Sequence, residues 1–185
     1  EIFESKNLNW KYFSASTMDP WIDFIGVPKT VNKNGQDVLE LVKPQEFAND
    51  EVEAIFFDEF NRAPAKVINA VMELIQFKSI NGKKFNNLKV VWAAINPYDE
   101  EGTYSVEQID AATKDRFHIQ IQIPLELDTT YLIKTHGEIS KPFIKWWNEL
   151  PKDLKIQVSP RRLDYAIQVH KADGDLRDVL ISSSN

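Results

Sequence analysis

Two adjacent carboxylates, Asp58 and Glu59, are the residues of this sequence best suited to chemistry. They follow the wholly apolar run Ala54–Phe57, which predicts a strand buried on both faces, as in a parallel sheet. Open α/β sheets bind ligands at the carboxyl ends of such strands. Asp58 is suited to hold Mg²⁺ through water, and Glu59 is suited to polarise a water for attack on a phosphate. Alternatively, both acids only begin the next helix, where negative charge suits the helix dipole.

A polar residue also ends the second apolar run of the sequence. Val90–Ile95 is entirely apolar and is followed by Asn96 and Pro97. We expect this run to be a second buried strand, so that Asn96 reaches the same crevice as the acidic pair. An amide there is able to orient an attacking water or to contact a phosphate. The alternative is an Asn-Pro turn that only closes the strand.

The elements that must position these residues predict an α/β fold. Asn-Gly dipeptides at Asn34 and Asn81 predict two tight hairpins, and apolar residues at helical spacing follow Pro64. The predicted strands are Trp10–Ser14, Phe24–Thr30, Val38–Val42, Ala54–Phe57, Phe77–Ile80, Lys83–Phe85, Val90–Ile95 and Phe117–Ile123. The predicted helices run from Pro64, from Ser105 to about Lys114, from Ser140 to Leu150 and from Pro160 to about Ala172. The chain is therefore divided into an α/β domain, residues 1–127, and a helical domain, residues 128–185.

The composition excludes several classes of protein. The 185 residues, of which 43% are apolar and 27% charged, suit one globular domain or a domain with a small appendage. The absence of cysteine removes disulfides, cysteine–zinc sites and thiol nucleophiles, and the three histidines lack metal-ligand spacing and are assigned no role. No apolar run is long enough to span a membrane, and the net charge of −6 argues against bulk binding of nucleic acid. We expect a cytoplasmic protein without a membrane partner.

The acidic pair is part of a longer pattern, Asp-Glu-Phe-Asn-Arg-Ala-Pro-Ala-Lys, from Asp58 to Lys66. This pattern resembles the Walker B segment of the MoxR-like AAA+ ATPases, D-E-I-N-R-A-P-A-K. In the same order and spacing, Ala93–Pro97 resembles the sensor 1 strand of that family, and Asp115–Phe117 resembles its arginine-finger segment. Ser159–Arg161 resembles the S-P-R of sensor 2, so the resemblance covers nearly the whole chain.

The resemblance implies an AAA+ P-loop NTPase-like core with a parallel sheet and a small C-terminal helical lid. It implies ATP hydrolysis with Mg²⁺, used by a homohexameric ring to remodel a protein client or adaptor. The implied roles are Asp58 for the metal, Glu59 for water activation, Asn96 for water positioning, Arg116 for the neighbouring subunit's site, and Arg161 or Arg162 for coupling the lid to the nucleotide. Arg161 fits the S-P-R pattern better. For Arg116 the alternative is a surface ion pair with Asp115 or Glu107.

The phosphate-binding loop of the family, G-x-x-x-x-G-K-[ST], is absent from this sequence. Gly82-Lys83 is its only Gly-Lys pair and lies at a predicted hairpin tip. In related proteins the loop comes just before the equivalent of residues 1–16, so we expect this chain to be part of a longer ATPase. A loop-less scaffold or regulatory subunit that does not hydrolyse ATP is the alternative. A third is a McrB-like GTPase or DNA-translocating motor subunit, which shares the D-E-x-N-R pattern.

The second predicted hairpin is rich in lysine. Residues 78–89 contain Lys78, Lys83, Lys84 and Lys89, and a basic hairpin is able to follow the phosphate backbone of DNA. Lysines on an exposed hairpin more often only protect an edge from aggregation. DNA is therefore a partner that the sequence allows but does not favour.

Overall fold

The structure is a computed structural model that describes residues 2–96 and 109–180. The chain divides into two compact units, Glu1–Gln120 and Ile121–Asn185. The predicted boundary, between residues 127 and 128, lies a few residues further along the chain and stays a prediction. Within the two described ranges, no helix has the length and apolar character needed to cross a membrane.

Within the described residues, the first unit contains the strands and three α-helices. Its strands are β1 (Trp10–Ser14), β2 (Val27–Lys33), β3 (Gln36–Val42), β4 (Ala54–Asp58), β5 (Ser79–Ile80), β6 (Lys83–Lys84) and β7 (Val90–Ala93). Its helices are α1 (Ile2–Ser5), α2 (Ala65–Phe77) and α3 (Ala111–Asp115). A π-helical turn covers Pro20–Ile25, and 3-10 turns cover Gln45–Phe47 and Phe60–Arg62.

A three-stranded parallel sheet in the order β1-β4-β7 forms the centre of the first unit. The register places Ser14 of β1 opposite Asp58 and Ala93 of β7 opposite Phe57. The middle strand β4 is the most deeply buried, with Ile55 and Phe57 fully shielded from solvent. The parallel strand predicted from the apolar run is therefore confirmed. Because the strands run parallel, their carboxyl ends meet at one edge of the sheet.

Aromatic rings and one face of α2 cover this sheet. Phe13, Phe24, Phe47 and Phe57 form pairs with ring centroids 5.4–5.9 Å apart. The buried face of α2 contributes Val67, Val71 and Leu74 to the same core. Complete burial of one such side chain stabilises a fold by about 1.5–3 kcal/mol. The packed rings and the helix thus fix the strands whose ends carry the acidic pair.

Both Asn-Gly hairpins are present. Asn34 and Gly35 have φ angles of 53° and 82°, and Asn81 and Gly82 have 49° and 75°, which is the backbone that tight hairpins require. They join the antiparallel pairs β2–β3 and β5–β6. The strand predicted from Phe24 begins at Val27 instead, because Phe24 lies in the π-helical turn and inserts its ring into the core.

The strand predicted for Phe117–Ile123 is wrong. None of these residues forms a strand, and none of the three sheets in the described ranges includes them. Ile119, Ile121 and Ile123 are 76%, 76% and 82% exposed. Alternation gives a segment one apolar face but no neighbour, and a strand needs a partner for its backbone N–H and C=O groups.

The helix predicted to begin at Ser105 starts later in the part that the structure describes. Ser105 itself lies outside the described residues. The described helix, α3, begins after Asp110, whose carboxylate accepts a hydrogen bond from the Thr113 amide at 2.6 Å. This bond satisfies an amide that would otherwise have no partner within the helix, so Asp110 is the N-cap.

The described part of the second unit is helical. It contains α4 (Thr129–His136), α5 (Ser140–Glu149), α6 (Lys152–Gln157), α7 (Pro160–Lys171) and α8 (Leu176–Leu180), with a 3-10 turn at Gly137–Ile139. The Ser159 hydroxyl caps α7 by accepting from the Arg162 amide at 3.3 Å. Trp147 is buried, and its indole N–H donates to the Val158 carbonyl at 2.6 Å. His170 of α7 is exposed, and its ring centroid lies 5.3 Å from that of Phe143.

Candidate functional site

Asp58 is the last residue of β4 and is held by two donors. The hydroxyl of Tyr12, on the neighbouring strand β1, donates to Oδ2 at 3.1 Å, and the Glu59 amide donates to Oδ1 at 2.9 Å. Desolvation and the hydrogen bond to Asp58 raise the pKa of Tyr12 above its ordinary value of 10.0. The hydroxyl is therefore protonated at neutral pH and remains a donor. Asp58 keeps further lone pairs for a ligand, because a carboxylate has about four acceptor positions.

Glu59 turns the chain out of β4. Its φ of 52° and ψ of 38° place it in the left-handed region, which costs a residue with a side chain about 1–2 kcal/mol. Its carboxylate is held on both oxygens, since the Ser16 hydroxyl donates to Oε2 at 2.8 Å and Arg62 Nη1 donates to Oε1 at 2.7 Å. Both members of the Glu59–Arg62 ion pair are about one-third exposed. The backbone turn and the two donors thus fix the direction of this carboxylate.

The side chain of Asn61 holds the backbone of Asn96 next to the segment that carries the acidic pair. Asn61 Nδ2 donates to the Asn96 carbonyl at 2.9 Å, and the Asn96 amide donates to Asn61 Oδ1 at 3.3 Å. Backbone bonds also join the two segments, from Ala94 to Phe57 at 2.8 Å and from Phe60 to Ala94 at 2.9 Å. The structure therefore brings Asp58, Glu59 and Asn96 together at one edge of the sheet.

Arg116 follows α3 in the first unit and is exposed. Its Nη1 donates to the Ala112 carbonyl at 3.0 Å, and its Nε donates to Gln76 Oε1 at 3.5 Å. The alternative ion pair with Asp115 is not formed, and Glu107 lies outside the described residues. The guanidinium therefore has only weak restraints within the part of the chain that the structure describes.

The two arginines after Ser159 differ in their surroundings within the second unit. Arg162 is half-buried, and its Nε donates to the Val179 carbonyl at 2.7 Å, which joins α7 to α8. Arg161 is exposed at the edge of a cavity of about 260 Å³, and no described residue forms a hydrogen bond or ion pair with its guanidinium. The cavity is also lined by Leu127, Asp128, Tyr131, Leu132, Pro160 and Asp164.

Several polar partners of these residues were not predicted from the sequence. Tyr12 and Ser16 contact the acidic pair only because β1 pairs with β4 in a parallel register, and a single sequence does not show that register. Asn61 could have been singled out from the sequence, since it lies within the Asp-Glu-Phe-Asn-Arg pattern.

His136 of the second unit, assigned no role from the sequence, is buried with its Nε2 2.6 Å from Asp164 Oδ1, and its Nδ1 has no hydrogen-bond partner among the described residues.

The carboxylates at the edge of the sheet suit Mg²⁺ better than a metal ion that needs three or more protein ligands. In the described ranges, no group of three or more His, Cys, Asp or Glu side chains is able to hold a metal ion. Asp58 and Glu59 offer two adjacent, half-buried carboxylates. Magnesium is usually bound by one or two carboxylates, waters and the phosphates of a substrate, so the residues present fit this ion.

Sequence comparison agrees with the pattern around the acidic pair. No family model matches the chain. The chaperone MoxR1 of Mycobacterium tuberculosis is 40% identical to it over 70 residues. This similarity agrees with the resemblance of the acidic pattern to the MoxR-like AAA+ ATPases. The match to MoxR1 confirms the predicted resemblance to that group, and the parallel sheet confirms the α/β fold class.

The match to each relative is partial. The aligned residues are 36% of this chain and 18% of MoxR1. A crystal structure of a Cytophaga hutchinsonii protein assigned as an ATPase is 28% identical, with a TM-score of 0.46, over 72% of this chain and 38% of that chain. At that score the superposition supports no conclusion. The chain thus spans well under half the length of each of these two proteins.

Proposed function

We propose that this chain contributes the hydrolytic centre of a MoxR-like ATPase that uses ATP and Mg²⁺ to remodel a protein partner as a hexameric ring. The observation that carries the proposal is the acidic pair at the carboxyl end of the central parallel strand, with Asn96 tied beside it by Asn61. The relationship to MoxR1 over 70 residues supports the same function.

In the proposed reaction Glu59 accepts the proton of the attacking water. The hydrogen bonds from Ser16 and Arg62 occupy only part of its acceptor capacity, so they orient the carboxylate and leave room for a water. Asn96 orients that water from the neighbouring strand end. The packed strands supply this geometry in advance, which is the main way enzymes lower a barrier of this kind.

Asp58 is the residue that would hold Mg²⁺, and the hydrogen bond from Tyr12 keeps its carboxylate at the strand end. When bound with the nucleotide, the ion neutralises charge that develops on the phosphates. Arg116 acts on the nucleotide of the next subunit, and Arg161 couples the helical unit to the nucleotide. A planar guanidinium suits both tasks because it binds phosphate oxygens in pairs.

One observation favours a second candidate, a subunit that binds partners without hydrolysis. Both oxygens of Glu59 are already engaged by Ser16 and Arg62. Such a subunit would keep the fold and lack turnover. DNA binding receives less support, because Lys89 pairs with Glu53 and Lys83 donates to the Leu41 carbonyl, which leaves fewer lysines of the hairpin for phosphates.

The test is a phosphate-release assay on the protein made from its complete gene, with ATP or GTP and with or without Mg²⁺. We expect Mg²⁺-dependent hydrolysis of ATP, and its loss in Asp58→Asn. The control is Asp37→Asn, which changes an exposed aspartate of the β2–β3 hairpin. Turnover that prefers GTP would favour the McrB-like alternative. No turnover with intact nucleotide binding would favour the non-hydrolysing subunit.

A further inference from the structure

Asn61 is a polar side chain that the core encloses. It is 3% exposed and lies in the 3-10 turn Phe60–Arg62 that follows Glu59. A buried amide without partners costs about 1–3 kcal/mol, so buried polar groups are almost always hydrogen-bonded. Among the described residues, this side chain bonds the backbone of Asn96, whose carbonyl lies 2.9 Å from Nδ2 and whose amide lies 3.3 Å from Oδ1.

The two bonds extend the sheet beyond its last strand residues. Backbone pairing between β4 and β7 continues as far as Phe60 and Ala94, which are bonded at 2.9 Å. Beyond that point the Asn61 side chain takes the place of a backbone peptide, because a primary amide offers one donor and one acceptor at the required spacing. Aspartate lacks the donor, and apolar residues lack both groups.

From this arrangement we propose that Asn61 is a positioning residue that fixes Asn96 with respect to Glu59. Glu59 is the N-cap of the turn that contains Asn61, so the bonds from Asn61 to the backbone of Asn96 set the separation of the two strand ends. The proposal rests on the proposed function only in its last step, where Asn96 orients the attacking water. The link between Asn61 and Asn96 is testable without nucleotide.

The first test measures amide hydrogen exchange by NMR in this chain and in Asn61→Ala. We expect the Asn96 amide to exchange about tenfold faster, because it loses its acceptor. The Ala94 amide, which donates to the Phe57 carbonyl at 2.8 Å, serves as an internal reference and should be unchanged. Asn69→Ala is the matched control, because Asn69 lines the same cavity of about 210 Å³ as Asn61.

Two results of this test would overturn the proposal. Unchanged exchange at Asn96 would show that Asn61 does not hold it. Equal acceleration at Asn96 and Ala94 would show that Asn61 only supports the global fold. Should Asn61→Ala fail to fold, Asn61→Ser provides the same readings, since its short hydroxyl side chain cannot bond both backbone groups of Asn96.

The second test measures ATP turnover in the protein made from its complete gene. We expect Asn61→Ala to lower kcat by about 10- to 100-fold, the effect of a small misplacement, with KM for ATP unchanged. The double variant with Asn96→Ala should be no slower than Asn96→Ala alone, and additive losses would contradict action through Asn96. Faster exchange at Asn96 with unchanged kcat would keep the positioning link and reject the role of Asn96 in the proposed function.

Discussion

The acidic residues at the carboxyl edge of the sheet are fixed by hydrogen bonds. The arginines proposed to act on phosphate have few such bonds. Asp58 and Glu59 each accept two hydrogen bonds from the chain around them. Arg161 is exposed without a described partner, and Arg116 has one good bond and one long one. The acidic groups are thus positioned before a ligand arrives, whereas the two guanidinium groups are available to partners from outside this chain.

The largest predicted effect concerns Arg116 and Glu59, and its absence would remove the contrast between the fixed carboxylates and the available arginines. Arg116→Ala and Glu59→Gln proteins, made from the complete gene, should each be inactive, because an arginine supplied by a neighbour is worth about 10³ to 10⁵ in rate. Their mixture should recover part of the ATP turnover, since some interfaces then pair an intact Glu59 with an intact Arg116. Lysine at position 116 should not restore activity, because it lacks the planar fork.

The control for this experiment is subunit assembly, measured by light scattering. A mixture that assembles and stays inactive would contradict a role of Arg116 in a neighbouring site. Arg116 would then be a surface residue bonded to Ala112 and Gln76.

The sequence predicted those parts of the site that depend on local pattern. The apolar run Ala54–Phe57 was sufficient to place Asp58 and Glu59 at the end of a buried strand. Tyr12 and Ser16 could not be assigned, since their contacts depend on which strands pair and in which register. The strand predicted for Phe117–Ile123 failed for the same reason, because alternation specifies a face and says nothing about a neighbouring strand.

A middle-sized effect separates the two arginines of the second unit. Arg162→Ala should lower the free energy of unfolding by about 1 kcal/mol, because the bond from its Nε to the Val179 carbonyl joins α7 to α8. Arg161→Ala should leave this free energy unchanged and reduce ATP turnover instead. Urea denaturation and the turnover assay measure the two quantities. If Arg161→Ala and Arg162→Ala lowered the free energy of unfolding equally, the two arginines would not differ in their structural role.

The smallest effect concerns a carboxylate at the opposite end of β4. The hydrogen bonds from Lys89 and from the Asn9 amide lower the pKa of Glu53 below its ordinary value of 4.5. Its contribution to stability is therefore present above about pH 4.5 and is lost as the pH falls through the lower, folded-state value. The urea midpoint of Glu53→Gln should lie slightly below that of the unchanged chain at neutral pH, and the two midpoints should converge as the pH falls below the folded-state pKa of Glu53. A difference that persists at low pH would show that packing, and not charge, accounts for it.

The measurement that tests the central claim most directly is ATP turnover by Glu59→Gln in the protein made from its complete gene. The substitution removes the proton acceptor and keeps the shape of the side chain, so nucleotide binding should persist while turnover falls by about 10² to 10⁴. Glu51→Gln, which changes an exposed glutamate of the same unit, should turn over ATP normally. Near-normal turnover in Glu59→Gln would contradict the account and leave the acidic pair as the start of a helix.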